Sequence, residues 1–290
     1  MKTLTQHITE RLQLNKDRVR KYEYQPKTTQ ELISIINEIT YEQHNEKIIN
    51  LNVIDTSKIT DMTGVFKYRE NIYDISQWDV SGVTDMTSMF ESSKFNGDIS
   101  QWDVSHVKDM SYMFSESEFN GNISQWNVSN VTNMQYMFWD SKFNQDISKW
   151  DVSNVGSMEN MFAGSNFNQD IGDWDVHKVR IFREMFSKSA FNKDISRWDV
   201  SAAKTIGGMF EQCPFNQDIS KWNVSNVENM AHLFYLNSRF NQDISNWDVS
   251  NVKNTYLMFA GTNFNKDLTP WVKKLNYNSG LVKNIEKYIK

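Results

Sequence analysis

From about residue 50 onward the apolar positions fall into a frame that recurs every 24 residues. Trp78, Trp102, Trp126, Trp150, Trp174, Trp198, Trp222, Trp247 and Trp271 carry the beat, with one step of 25 between Trp222 and Trp247. Phe90, Phe114, Phe138, Phe162, Phe186, Phe210, Phe234 and Phe259 each follow a tryptophan by twelve residues. A second phenylalanine closes every unit: Phe95, Phe119, Phe143, Phe167, Phe191, Phe215, Phe240 and Phe264. The first copy, IDTSKITDMTGVF, is degenerate: Ile54 stands in the tryptophan position, with Met62 and Phe66 at the expected offsets. Self-similarity at such a period predicts a stack of supersecondary units, none able to bury its apolar faces alone.

Two local rhythms divide the unit. In ISKWDVS (147–153), Ile147, Trp150 and Val152 set against Lys149, Asp151 and Ser153 predict a short strand. Val155, Met158, Met161 and Phe162 then follow at helical spacing, and GSNFNQD closes the unit with turn residues. The expected architecture is an α/β solenoid of about nine strand–turn–short helix coils over 50–271. Its ends need covering. Residues 1–49 supply an N-terminal helical cap, with Leu32, Ile35, Ile36 and Ile39 on one face of TTQELISIINEIT and Thr28 or Thr29 as N-cap. Residues 272–290 supply a C-terminal helical cap after Ser279-Gly280. The leader RLQLNKDRVRKYEYQPK is basic and aromatic, a candidate contact for an acidic partner.

The apolar frame I-x-x-W-x-V-x-x-V matches that of leucine-rich repeats, with Trp at the second apolar position. The run DISxWDVSxVxxMxxMFxxxxxFN resembles the repeat of BspA-like leucine-rich-repeat proteins, a family of bacterial surface proteins and bacteriophage genomes. The resemblance covers about three quarters of the chain. It implies a leucine-rich-repeat-like fold and a bacterial or phage source. Many surface members carry a signal peptide and attachment sequences; MKTLTQHITERLQLNKDRVRK has no apolar signal core. The expected location is therefore the cytoplasm of a bacterial host, or a virion, with no membrane association.

Charge and composition narrow the function. A net charge of −5 argues against a general nucleic-acid binder. The single cysteine, Cys213, excludes an internal disulfide and any multi-cysteine metal site. The histidines (His7, His44, His106, His177, His232) form no ligand spacing, and no glycine-rich phosphate loop occurs. A catalytic carboxylate pair occurs once, whereas these aspartates recur in every unit. No enzyme, cofactor or metal is expected.

The Trp ladder (Trp78, Trp102, Trp126, Trp150, Trp174, Trp198, Trp222, Trp247) is structural, since each ring buries about 150–250 Å². The Asn ladder (Asn96, Asn120, Asn144, Asn168, Asn192, Asn216, Asn241, Asn265) can bond from coil to coil across about 4.8 Å. Two acidic columns, one following Trp and one preceding the strand, would repel without compensation. A cation column is one answer. Backbone capping is the other, and Asn at equivalent places (Asn122, Asn127, Asn223) favours it, because an amide keeps the acceptor without the charge.

Outward strand positions should line a concave face, the usual binding surface of a solenoid. The candidates are Lys149, Asp151, Asp173, Asp175, His177, Arg197, Asp199 and Lys221, around the departures DVHKVRIFREMFSKS and SAAKTIGGMF. The same face also reads as plain solvated surface. The expected function is non-catalytic protein–protein recognition, with a protein partner. The alternatives are a structural or virion-associated component, or an adhesin exported by an unrecognised route. Self-association through stack ends or edges is a further possibility.

Overall fold

The computed structural model describes residues 22–276 and 278–289. Residues 11–21 of the basic leader lie outside them. Helix α1 (Thr29–Glu42) opens the described fold, and the Thr28 hydroxyl caps it by accepting the Glu31 N–H at 3.2 Å. Leu32, Ile36 and Ile39 are buried, while Ile35 is half-buried. Two bonds fasten the helix to the first coil: Thr29 Oγ1 to the Asp61 carbonyl, 2.7 Å, and Arg69 Nη2 to Asn37 Oδ1, 2.7 Å.

The coils contain neither the strands nor the short helices that the local rhythms predict. Two-residue strands β1 (Ile49–Asn50) and β2 (Tyr73–Asp74) pair in parallel. Beyond them, single parallel bridges link Asp61, Asp85, Asp109, Asn133, Ser157, Ile181, Thr205, Asn229 and Asn254 in succession. The ladder therefore stands at the edge of the Met-x-x-Met-Phe segment. There, alternate N–H groups point to the next coil: Met158, Asn160, Phe162 and Gly164 donate to the carbonyls of Ile181, Arg183, Met185 and Ser187 at 2.8–2.9 Å. The residues between close turns within their own coil, Met161 to Met158, Ala163 to Asn160 and Ser165 to Phe162. A helix is incompatible with this, since every second donor would have to point inward along its own axis.

I-x-x-W-x-V is a pair of turns. Trp150 N–H bonds the Ile147 carbonyl at 3.1 Å, and Val155 N–H bonds the Val152 carbonyl at 2.9 Å. Asp146 and Asp151 force these bends by accepting the N–H groups of Ser148 and Ser153 at 2.9 and 3.0 Å, so the run cannot stay extended.

Returning bonds balance the forward ones. From coil 171–194 back to coil 147–170 run Trp174 Nε1 to the Ile147 carbonyl (3.1 Å) and Arg180 N–H to Gly156 (2.9 Å). Ala190 N–H to Ser165 (3.2 Å), Asn192 N–H to Asn168 Oδ1 (2.9 Å) and Lys178 Nζ to Asn154 Oδ1 (2.7 Å) add to them. Between these walls lies one continuous core from Leu32 to Tyr288. Its phenylalanines stack along the axis, as Phe90 on Phe114 at 5.4 Å with planes 1° apart. The fold is a repeat solenoid.

The extra residue near 238 leaves this frame intact. Asn237 takes the place of a serine, donates to the Phe215 carbonyl at 3.0 Å and accepts from both Arg239 and Phe240. At the C-terminus, α2 (Thr269–Lys274) straddles the expected boundary at 271/272 and buries Trp271. α3 (Ser279–Lys283) begins at Ser279 itself, with Asn278 as N-cap. A final 3-10 turn, Glu286–Tyr288, lays the Tyr288 ring edge-on against Phe259 (5.1 Å) and Phe264 (5.3 Å).

Candidate functional site

Two exposed faces run the length of the stack, and the sequence-derived candidates all lie on one of them. Lys149, Asp151, Asp173, Asp175, His177, Arg197, Asp199 and Lys221 are exposed. They stand on the paired turns around each tryptophan, not on a sheet. The strand expected to present them is bent away by its own aspartates. Asp151 and Asp199 Oδ1 accept the N–H of Ser153 and Ser201 at 3.0 Å. Asp175 accepts from His177, whose ring Nδ1 also lies 2.7 Å away. Arg197 pairs with Asp173 of the preceding coil at 2.6 Å, with both side chains at least 70% exposed, so the pair contributes little to stability.

The second acidic column is built alike. Asp98, Asp146, Asp194, Asp218 and Asp243 accept the serine N–H two residues on at 2.8–3.0 Å. Asn122 makes the same bond to Ser124 at 3.0 Å. In Asp146 and Asp194 the backbone N–H of Ser148 and Ser196, and then the serine hydroxyls, hold the carboxyl below the usual carboxylate range. Among the described residues, no group of three or more His, Cys, Asp or Glu is arranged to hold a metal ion.

The Asn column sits where a side chain can replace a missing ladder bond. Each Oδ1 accepts the N–H of the next asparagine, from Asn96–Asn120 at 2.9 Å to Asn241–Asn265 at 3.1 Å. Each column indole, from Trp78 to Trp271, donates to a carbonyl of the preceding coil at 3.0–3.3 Å. Cys213 is packed against Ser189 and the Phe191 carbonyl, and burial pushes its thiol up to about 11.

The other face belongs to the Met-x-x-Met-Phe ladder, and the sequence did not single it out. Its solvent-accessible positions differ in each coil: Thr87, Ser88, Glu91 and Ser92; then Tyr112 and Glu116, with Ser111 and Ser115 buried; then Gln135, Tyr136, Trp139 and Asp140. Many sit at φ near +55°, as Ser88, Tyr112, Tyr136, Asn160 and Glu184 do. Three exposed large apolar side chains lie here, Tyr68, Leu236 and Tyr256. Gly207 and Gly208 leave a groove walled by Glu184, Glu211, His232 and Tyr235, and a Cβ on Gly208 would come within 2.7 Å of Glu184 Cγ. One signal was available in the sequence: Trp139 is the only one of ten tryptophans that falls outside the 24-residue beat and the column it defines.

Comparison with curated proteins returned no match, and comparison with solved structures returned none. A family match covers residues 35–142, 116–214 and 188–288, overlapping segments of a tandem repeat. These segments span the whole stack, from within α1 to the final 3-10 turn. The chain therefore belongs to the repeat family described as Mycoplasma protein of unknown function, DUF285.

Proposed function

We propose that the chain is a non-catalytic scaffold for protein–protein recognition, a BspA-like leucine-rich-repeat stack of about nine coils acting in a bacterial cytoplasm or a virion. One observation carries the reading: the backbone frame is the same from coil to coil, while the outward side chains of the ladder face change at every step. A rigid frame that presents varied side chains at regular spacing is suited to a large partner surface. The Asp and Ser of the turn face, by contrast, repeat because their oxygens hold the turns.

The test is affinity capture with the full chain, followed by binding of the purified partner to two variants. Changing Glu116, Glu159 and Arg183 together should weaken binding. Reversing Lys149, Arg197 and Lys221 on the turn face should leave it unchanged. The opposite pattern returns the site to the turn face, and no partner at any stoichiometry refutes recognition.

One feature favours the assembly reading. Among the described residues, the N–H groups of Leu257, Phe259 and Gly261 have no acceptor, so the C-terminal end of the ladder is an open edge beside Lys287 and Tyr288. Sedimentation that shifts with protein concentration would support it, and a monomer throughout would oppose it.

A further inference from the structure

Tyr112, Tyr136 and Trp139 form an aromatic strip on the ladder face that the repeat does not require. The two tyrosines stack at 4.6 Å with planes 4° apart, and Trp139 meets Tyr136 edge-on at 6.4 Å. All three are half-buried, whereas the nine column tryptophans are 4% exposed or less. The frame has a buried slot for a tryptophan in each coil; Trp139 lies outside it, at the surface.

Carboxylates outnumber cations around the strip, with Lys67 and Arg183 in the flanking coils. In the four coils spanning 85–164, the outward ladder-face positions carry Glu91, Glu116, Asp140 and Glu159 and no lysine or arginine. Glu91 is occupied by Lys67 at 2.8 Å, and Glu159 has Arg183 at 3.6 Å. Glu116 and Asp140 have no cationic partner among the described residues. Burial first, and then the Glu159 carboxylate, raise the phenols of Tyr112 and Tyr136 above their ordinary value, against smaller opposing effects of Lys67 and Arg183. The same face already shows how a cation settles there. Lys67 Nζ bonds Glu91 and lies 4.9 Å from the centre of the Tyr68 ring.

We propose that this strip docks arginine or lysine side chains of a protein partner, with the rings of Tyr136 and Trp139 taking the face of the cation and Glu116 and Asp140 its charge. The assignment rests on the recognition reading above and names its surface and chemistry.

The probe is the acetylated, amidated peptide Gly-Arg-Gly-Arg-Gly, with Gly-Glu-Gly-Glu-Gly as control, titrated into the full chain and followed by the indole resonance of Trp139. The arginine peptide should shift that resonance saturably and the glutamate peptide should not. Trp139→Ala, and separately Glu116→Gln with Asp140→Asn, should weaken binding about tenfold, while Trp139→Phe retains most of it. Backbone resonances and thermal melting confirm that each variant is folded. Unchanged affinity in the folded variants overturns the assignment, as do shifts equally large at Asp151, Asp175 and Asp199. A captured partner that still binds the Trp139→Ala chain as tightly also overturns it, and leaves the recognition reading standing.

Discussion

Asn168 offers the cleanest measurement of what the amide ladder contributes. At several rungs the Oδ1 atom accepts twice: Asn144 receives both the Asn168 N–H and Gln169 Nε2. In the coil after Asn168 the glutamine position holds Lys193, and Asn168 Oδ1 accepts the Asn192 N–H alone, at 2.9 Å. Asn168→Ala removes that acceptor and leaves a half-buried backbone N–H to water or to nothing. A net hydrogen bond is worth about 0.5–1.5 kcal/mol and an unsatisfied buried donor costs about 1–3, so the expected loss is about 1–2 kcal/mol. Asn168→Asp keeps the acceptor between neutral neighbours and should cost less than about 0.5 kcal/mol. Converting Asn144, Asn168 and Asn192 together to Asp should cost far more than three single changes. Carboxylates about 5 Å apart repel by about 1 kcal/mol in water and about 3 kcal/mol at a partly screened site. Like charges raise these carboxyl pKa values in the fold, so the triple variant regains stability as pH falls through the carboxyl range and loses it as pH rises. Urea unfolding followed by both circular dichroism and tryptophan fluorescence gives the energies, and hydrogen exchange at the Asn192 amide gives the local effect. An alanine variant within about 0.3 kcal/mol of the parent with an equally protected Asn192 amide refutes the ladder argument. Additive costs in the triple variant refute the repulsion argument.

Three further outcomes follow from the same geometry. Trp174→Phe deletes the 3.1 Å indole bond to the Ile147 carbonyl, which keeps its own-coil donor Trp150; the lost bond and the void together should cost about 2–3 kcal/mol in thermal unfolding, and a loss below about 1 counts against the indole as a clamp. Asp146, Asp194, Asp218 and Asp243 have folded pKa values depressed by serine hydrogen bonds, so their contribution is present above the unfolded carboxyl value near 4 and is lost as pH falls through the folded values. Asp194→Asn and Asp218→Asn should retain neutral-pH stability and flatten the acid slope, and an unaltered slope opposes the capping account. Gly208→Ala, at φ +65° and against Glu184, should lower stability by about 1 kcal/mol in the same unfolding assay, and a neutral result would show that the turn relaxes freely.

The period, the buried columns and the capping role of aspartate were legible because each repeats and each has one physical use. The placement of the ladder was not. Val155, Met158, Met161 and Phe162 have helical spacing, yet the partner carbonyls at Ile181, Arg183 and Met185 are about a whole unit away and leave no trace in a local window. Left-handed residues usually announce themselves as glycine; here Tyr112, Tyr136, Glu184 and Leu257 adopt that conformation, so composition is silent. The bends at tryptophan could have been read from the D-x-S pairs at Asp146–Ser148 and Asp151–Ser153, but the alternation of Trp150 and Val152 masked them. The same masking sets Lys149 and Arg197 on exposed paired turns instead of on a strand, and leaves Trp139 outside every local rhythm.

Between successive coils, backbone donors on the methionine wall aim toward the C-terminus, and those of the tryptophan wall, the asparagines and their flanking residues aim toward the N-terminus, four against five at the junction of coils 147–170 and 171–194 with Lys178 Nζ to Asn154 Oδ1 included. Opposed donors offset one another, so the column lacks the head-to-tail alignment by which an α-helix builds charge at its tips. Duplication or loss of a 24-residue segment would thus shift the outward side chains by one place without altering the electrostatics that the terminal helices must meet. A gene encoding such a chain is free to vary its reach by whole units.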